Sequence, residues 1–195
     1  MVKPVIRTFT GRSVNPLDLR PEDIDILDIA HALSCVNRFA GHTEKPISVA
    51  QHSVYVSRLV DTDPNFEEWD EPLRGLLHDA AEAYLGDVTK WLKSSDVMAG
   101  YREAEHRAER VIAQAFGLDG SLMTESVEWA DRVMVRFEGR HPHGFGKTFY
   151  IDHPNYPELT HHELTRVGEW RAWPWRRAKE SFLTHFRILQ QRRAR

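Results

Sequence analysis

Apolar residues recur three and four positions apart along most of this chain, which is the spacing of one face of an α-helix. In the first such segment, residues 25–37, the apolar face is formed by Ile26, Ile29, Ala30 and Leu33. The same spacing predicts further helices over residues 98–116, 122–138 and 175–191. No segment shows the alternation of apolar and polar residues, with hairpin turns, that is typical of strands. The pattern therefore predicts an all-α fold.

Two more helices are predicted from their end signals. Ser48 and Gln51 have the spacing of a capping box, so we expect a helix that begins after Ser48 and reaches about Val60. The next apolar run, residues 73–85, is followed by Gly86. Because glycine commonly follows the last turn of a helix, this run is predicted to be one continuous helix that ends there.

The chain is predicted to form one domain over residues 1–195. It contains no internal repeat or flexible linker, and 41% of its residues are hydrophobic, which is enough for a core. We expect a helical core at about 24–138, a proline- and glycine-rich loop at 141–157 and a C-terminal helical extension at about 158–195. No apolar run is long enough for a transmembrane helix, so we expect no membrane association.

Composition and charge bear on location and partners. The single cysteine, Cys35, cannot form an internal disulfide, which favours a reducing compartment such as the cytoplasm. The net charge of -3 gives no overall basic field for binding nucleic acid. Residues 171–195 nevertheless contain eight basic residues and one acidic residue, Glu180. Because a basic segment of this kind is usually a solvated helix face, we do not expect nucleic acid as the main partner.

One predicted helix carries a group of side chains suited to metal chemistry. His78 and Asp79 are adjacent, and Glu82 follows one turn later, so all three project over one patch. The flanking residues 76–77 and 80–81 are apolar enough for burial, and buried imidazoles and carboxylates are costly unless they are paired or bound to metal. The alternative is that the three side chains are simply exposed on the surface of the helix.

A metal site needs more ligands than this pair, and two other predicted helices supply candidates. His52 follows the capped start of its helix, and Asp131 is a single acid on an otherwise apolar helix face. Alone, each would be an ordinary hydrogen-bonded polar residue. Together with His78 and Asp79 they make two imidazoles and two carboxylates, a set that suits Zn, Mn, Co or Fe and leaves positions for water.

The ordered set of His52, His78-Asp79 and Asp131 resembles the HD superfamily of metal-dependent phosphohydrolases. Within that superfamily the chain looks like the YfbR-like 5'-deoxynucleotidases and the phage deoxyadenosine triphosphate triphosphohydrolases. The segments that carry this closer resemblance are Asn37-Arg38-Phe39, Val49-Ala50-Gln51-His52-Ser53, His78-Asp79-Ala80-Ala81-Glu82 and Gly86-Asp87, followed by Lys93. The resemblance covers residues 24–138 and implies a helical bundle of the HD type.

The resemblance implies a role for each matching residue. The implied metal ligands are His52, His78, Asp79 and Asp131, with Zn, Co or Mn as the first choices and Mg or Fe left open. The implied catalytic residues are Glu82, Asp87 and Arg38. Glu82 would position or deprotonate the attacking water, Arg38 would contact a phosphate with help from Lys93, and Asp87 would hydrogen-bond the sugar at its 3'-hydroxyl. Phe39 would contact the substrate at the position where the nucleotidases have tryptophan.

The implied reaction is hydrolysis of a 2'-deoxynucleotide at the phosphorus next to the 5'-oxygen, with release of the deoxynucleoside and of phosphate or triphosphate. The sequence does not separate these two products, and the phage relatives imply a preference for adenine. The resemblance also implies a small-molecule nucleotide as partner and a homo-oligomer, either a dimer or a larger assembly. The alternative is a nucleotide-sensing or nucleic-acid-binding module, in which the metal is structural and the basic C-terminal helix is the binding surface.

Overall fold

The computed structural model of this protein describes residues 5–61, 70–146, 156–158, 160, 161, 165, 167, 168 and 170–194. The chain begins with an antiparallel hairpin of β1 (Ile6–Arg7) and β2 (Ser13–Val14). The α-helices that follow are α1 (Ile26–Cys35), α2 (Val49–Val60), α3 (Glu71–Leu77), α4 (Glu82–Leu85), α5 (Lys90–Lys93), α6 (Ala99–Ala115), α7 (Glu125–Arg140) and α8 (Trp175–Arg193). Short 3-10 helices occur at Pro21–Asp23, Arg38–Gly41 and Asp96–Met98. The predicted all-α class is confirmed, and the short hairpin is an addition to it.

The helices predicted from apolar spacing are present, and their ends differ from the prediction by at most three residues. Part of the loop predicted at 141–157, namely residues 147–155, lies outside the described residues. The same holds for much of the start of the predicted C-terminal extension, of which α8 is described in full. Among the helices of the described ranges, none is long and apolar enough to cross a membrane.

Helix α2 lies at the centre of the fold and packs against α1, α3, α7 and α8. Every residue of α2 except Arg58 is buried, and most of these residues, such as Val54, Val56 and Leu59, are small or apolar. A helix of this kind is stable only in the interior of a protein. His52 is therefore carried into the core by the helix to which it belongs.

The start of α2 differs in part from the capping box predicted for it. Ser48 is the N-cap as predicted, and its Oγ accepts a hydrogen bond from the backbone N–H of Gln51 at 3.2 Å. The Gln51 side chain, however, donates to the carbonyl oxygen of Arg171 at 2.8 Å and accepts from the backbone N–H of Trp173 at 2.8 Å. Gln51 thus ties the segment before α8 to the core helix.

The continuous helix predicted over residues 73–85 is wrong. Helix α3 ends at Leu77 and α4 begins at Glu82, with a tight turn between them. His78 Nδ1 hydrogen-bonds the carbonyl oxygen of Gly75 at 2.9 Å and so competes for an acceptor that a continuing α-helix would use. The amides of Ala80 in the turn and of Glu82 and Ala83 after it bond carbonyls three residues earlier instead of four.

Helices α2 and α3 approach each other very closely at Gly75. A Cβ atom at this position would lie 3.0 Å from the Cα atom of Ser57 and 3.3 Å from its amide nitrogen. Carbon atoms in normal packing are about 3.5–4.0 Å apart, so the absence of a side chain is what allows this contact. Gly75 therefore sets how near α3, which ends just before His78, comes to α2, which carries His52.

Helix α8 covers the core with Phe182 and its buried neighbours, and it packs against α1 and α2. Two of its basic residues make ion pairs with the body of the protein. Arg192 contacts Asp61 at 2.7 Å, and Arg193 contacts Asp70 at 2.6 Å. Part of the basic face that was predicted to be solvated is therefore used to hold α8 in place.

His185 of α8 packs against α2 as a neutral imidazole. Its Nε2 atom is 2.9 Å from Ser57 Oγ, and because that hydroxyl donates to a backbone carbonyl, Nε2 is the donor in this bond. Burial is the main cause that lowers the pKa of His185 to about 4. The charges of Arg58 and Arg192 act in the same direction, and Asp61 opposes them.

This shift predicts a loss of stability in acid. Unfolded His185 takes up a proton near pH 6.5 and folded His185 only near pH 4, so between these values protons favour the unfolded chain. The contribution of neutral His185 is complete above pH 6.5 and falls as the pH is lowered. We expect about 2–3 kcal/mol of the free energy of unfolding to be lost by pH 4 through this residue.

Urea unfolding of the wild type and of His185→Gln at pH 7 and pH 4.5 measures the effect. Glutamine keeps a donor for Ser57 but does not titrate, so the acid loss of the variant should be smaller than that of the wild type by about 2 kcal/mol. Equal losses in the two proteins would contradict the assignment of this pH dependence to His185.

Candidate metal centre

Three side chains from different helices meet in the interior of the protein. They are His52 of α2, His78 at the end of α3 and Asp131 of α7, and one ligand atom of each lies within 4.8 Å of the other two. Both histidines are buried, and Asp131 Oδ1 is 3.0 Å from His52 Nε2. Imidazole nitrogens and a carboxylate oxygen grouped in this way can hold a metal ion.

Asp79, the fourth predicted ligand, lies beside the same group. Its Oδ2 atom is 3.1 Å from His78 Nε2 and 3.8 Å from His52 Nε2. The structure therefore brings all four predicted ligands together. The alternative of an exposed helix surface is wrong, because His78 is 3% exposed and Glu82 is 6% exposed.

The two imidazoles are oriented so that their Nε2 atoms face the carboxylates. His78 Nδ1 is bonded to the Gly75 carbonyl, and His52 Nδ1 is 3.3 Å from Glu138 Oε1. Both Nε2 atoms are buried and make no hydrogen bond of normal geometry within the described residues. A metal ion would give both nitrogens and the carboxylates that face them one common partner. The donor set thus fits a metal.

The local charges keep the carboxylates in the ionised form that metal binding requires. Burial acts against ionisation, but the imidazoles of His78 and His52 and the guanidinium of Arg38 hold the pKa of Asp79 well below its usual range. Contact with His52 lowers the pKa of Asp131 in the same way. Burial and the charge of Arg38 lower the pKa of His52. The surrounding carboxylates outweigh both effects and raise this pKa to about 9.

Arg38 enters the group from the short 3-10 helix that follows α1. Its Nε donates to Glu138 Oε2 at 3.0 Å, and its Nη1 and Nη2 atoms are 3.4 and 3.7 Å from Asp79 and Asp131. The next residue, Phe39, has a φ angle of 54°, and the one after it has a φ angle of 50°. Such left-handed backbone in non-glycine residues is strained, and it makes the chain reverse direction directly after Arg38.

Glu82 and Asp87 lie next to the ligand group. Burial is the main cause that raises the pKa of Glu82 well above its usual range, and the negative charges of Asp79 and Asp87 add to it. Glu82 Oε2 is buried and has no hydrogen-bond partner within the described residues. Asp87 follows Gly86, whose φ angle of 80° ends α4, and burial raises the pKa of Asp87 as well.

Lys93 and Phe39, the two remaining predicted residues, have partners that the sequence did not indicate. Lys93 Nζ is 2.6 Å from Glu105 of α6, and this ion pair outweighs burial and raises the pKa of Lys93. The charge of Lys93 also acts on Glu82, so the ammonium is near the ligand group. The ring of Phe39 packs edge-to-face against Phe145, with ring centres 5.5 Å apart.

Sequence reasoning missed Glu138, which is fully buried and contacts both His52 and Arg38. One signal was present, because Glu138 stands seven residues after Asp131 and therefore on the same face of α7. Phe145 was missed because it lies in the loop beyond α7, where no periodic pattern applies.

The fold and this site define an all-α protein with a buried group of histidines and aspartate that can hold a metal ion. No family model matches the chain. YfdR of Escherichia coli, which is described as an uncharacterized protein, is 38% identical over 135 residues, or 69% of this chain and 70% of YfdR. RCAP_rcc00048 of Rhodobacter capsulatus, also described as uncharacterized, is 36% identical over 148 residues, or 72% of this chain and 74% of that protein. The chain belongs to the family of these two proteins.

Proposed function

We propose that this protein is a metal-dependent phosphohydrolase of the HD type that acts on 2'-deoxynucleotides. The observation that carries the proposal is the pair of buried Nε2 atoms of His52 and His78, which face two carboxylates and lack hydrogen bonds within the described residues. Such a group is stable in a protein interior when a cation joins it. Glu82 and Arg38 beside the same group support hydrolysis over a purely structural metal.

The donor set supports a first-row divalent metal. Two imidazoles and two carboxylates without a thiolate suit Zn, Co or Mn, and they also admit Fe or Mg. When bound, such a cation supplies a Lewis acid that polarises a phosphoryl oxygen and lowers the pKa of water to about 7. The residues that would hold it are His52, His78, Asp79 and Asp131.

The catalytic roles follow from the surroundings of each residue. Glu82 accepts the proton of the attacking water at Oε2, because burial and the neighbouring carboxylates raise its affinity for a proton. Arg38 binds the phosphate with the N–H groups of its two Nη atoms, while its Nε atom stays on Glu138. Lys93 supplies a second positive charge near the phosphates, held in place by Glu105.

Asp87 and Phe39 provide contacts to the nucleoside in this proposal. Asp87 accepts a hydrogen bond from the 3'-hydroxyl of the sugar, and Phe39 packs against the deoxyribose or the base. Attack at the phosphorus next to the 5'-oxygen releases the deoxynucleoside from a mono-, di- or triphosphate alike, with phosphate, diphosphate or triphosphate as the other product. A preference for adenine, a cytoplasmic location and a homo-oligomeric state are part of the same proposal.

Incubation of the metal-loaded protein with deoxynucleoside mono-, di- and triphosphates tests the proposal. The protein is stripped with a chelator and reloaded separately with Zn, Co, Mn or Mg, and the products are separated by chromatography. We expect release of free deoxynucleoside with at least one metal and none after chelation. Failure of every nucleotide to yield nucleoside, together with tight polynucleotide binding that weakens steeply with salt, would instead identify the binding module considered as the alternative.

A further inference from the structure

Glu138 is a buried carboxylate for which the proposed reaction has no direct use. It belongs to α7 and is 0% exposed. It stands seven residues, or about two helical turns, after Asp131, so both side chains project from the same face of α7. One helix therefore supplies a candidate metal ligand and, beside it, a second acid that is fully removed from water.

The carboxylate of Glu138 contacts two different members of the site. Both of its oxygens are 3.3 Å from His52 Nδ1, and Oε2 also accepts a hydrogen bond from Arg38 Nε at 3.0 Å. His52 directs its other ring nitrogen, Nε2, toward Asp131. A single side chain thus contacts a candidate metal ligand and the candidate phosphate-binding arginine.

Each contact fixes an orientation that the site needs. A proton on His52 Nδ1 that is shared with Glu138 leaves the Nε2 lone pair available to a metal, and partners of this kind orient metal-bound histidines in many proteins. The bond from Nε fixes the plane of the Arg38 guanidinium, whose Nη atoms then point toward Asp79 and Asp131. Without Glu138, both groups could rotate about their side-chain bonds.

We infer that Glu138 is a positioning residue that holds His52 and Arg38 in one fixed relation and so couples the metal centre to the phosphate site. The part that concerns Arg38 rests on the proposed function, whereas the part that concerns His52 requires only that the site binds a metal. Loss of such a supporting partner typically lowers metal affinity about 10–100-fold.

The test compares Co²⁺ binding by the wild type, Glu138→Gln, Glu138→Asp and Glu71→Gln. Co²⁺ is the probe because its visible absorption reports the ligands around it. Glutamine keeps the shape of glutamate but has no charge, and an NH2 donor replaces one of the two oxygens that face the N–H groups of His52 and Arg38. Glu71 is a matched control, since it is also a buried glutamate paired with an arginine, Arg74 at 3.2 Å, but it does not belong to the ligand group.

We expect Glu138→Gln to weaken Co²⁺ binding about 10–100-fold and to change the visible spectrum of bound Co²⁺. Glu138→Asp keeps the charge and should recover part of the affinity. Glu71→Gln should lower the thermal stability but leave the affinity and the spectrum as in the wild type. Wild-type binding by Glu138→Gln, or an equal loss in Glu71→Gln, would overturn the inference.

The nucleotide assay separates this inference from the proposed function. A wild-type protein that binds Co²⁺ but releases no deoxynucleoside would refute the proposed function, and the Co²⁺ comparison would still decide whether Glu138 orients His52. If the wild type is active, Glu138→Gln at saturating Co²⁺ should show a raised KM for the nucleotide, because Arg38 loses its anchor. An unchanged KM would overturn the claim that Glu138 positions Arg38. Absence of Co²⁺ binding by the wild type would overturn both.

Discussion

Replacement of Glu82 with glutamine should strongly slow the release of deoxynucleoside and leave the metal content of the protein unchanged. Glutamine has the shape of glutamate but cannot accept a proton at neutral pH, so the group that takes the proton of the attacking water is lost. General-base catalysis contributes about 10²–10⁴-fold, and we expect a loss of this size in kcat. Chromatography of the products and elemental analysis of the purified protein measure the two quantities.

Glu109→Gln is the matched control for this experiment. Glu109 is also a partly buried glutamate whose pKa is raised by burial, but it hydrogen-bonds His106 within α6. The control protein should retain the kcat of the wild type. If Glu82→Gln lost its metal, Glu82 would have to be counted as a ligand, and if it kept full activity, Glu82 could not be the base.

Removal of His78 should have the second large effect, on metal binding itself. Alanine at this position deletes one of the two Nε2 atoms of the ligand group, and we expect the metal content and the hydrolytic activity to fall together. Zn²⁺ at 100 times its Kd should raise the free energy of unfolding of the wild type by about 2.7 kcal/mol. His78→Ala should show almost none of this gain when urea unfolding is measured with and without Zn²⁺.

His185→Gln controls for the loss of a partly buried histidine. Its imidazole bonds Ser57 on the side of α2 that faces α8, and it does not belong to the ligand group. The Zn²⁺-dependent gain in stability should therefore persist in His185→Gln. A gain of wild-type size in His78→Ala would show that the metal site does not depend on His78.

The ligand group could be predicted from the sequence because its members belong to helices with apolar faces. His52 follows the capped start of one such helix, Asp131 follows Ala130 in another, and His78 follows two leucines. Burial of such residues demands a partner, and two imidazoles with two acids match the needs of one cation. The same apolar runs identify the helices, so the fold class and these ligands follow from one pattern.

The supporting residues could not be predicted, because their burial depends on partners far away in the chain. Glu138 is followed by Gly139 and Arg140 near a helix end, where a glutamate is normally solvated, and its partner Arg38 stands 100 residues earlier. Glu105 lies among charged residues of α6, and only the fold shows that it pairs with Lys93.

The break after α3 was missed for a different reason. Residues 73–85 keep the apolar spacing of a single helix, so this spacing does not indicate that the helix is broken. At the turn, His78 bonds the Gly75 carbonyl through its side chain. Such a bond competes with the backbone hydrogen bonds of a helix, and helix propensities do not contain this information.

The close approach of α2 and α3 at Gly75 determines the spacing within the candidate metal site. Because its missing Cβ lets the two backbones touch at Ser57, a larger residue there would separate the elements that present His52 and His78 by some tenths of an ångström. The distance between the imidazoles of His52 and His78 therefore depends on the absent side chain of Gly75, which stands three residues before His78. The size of the ion that this candidate site could hold therefore depends on a position that carries no functional group.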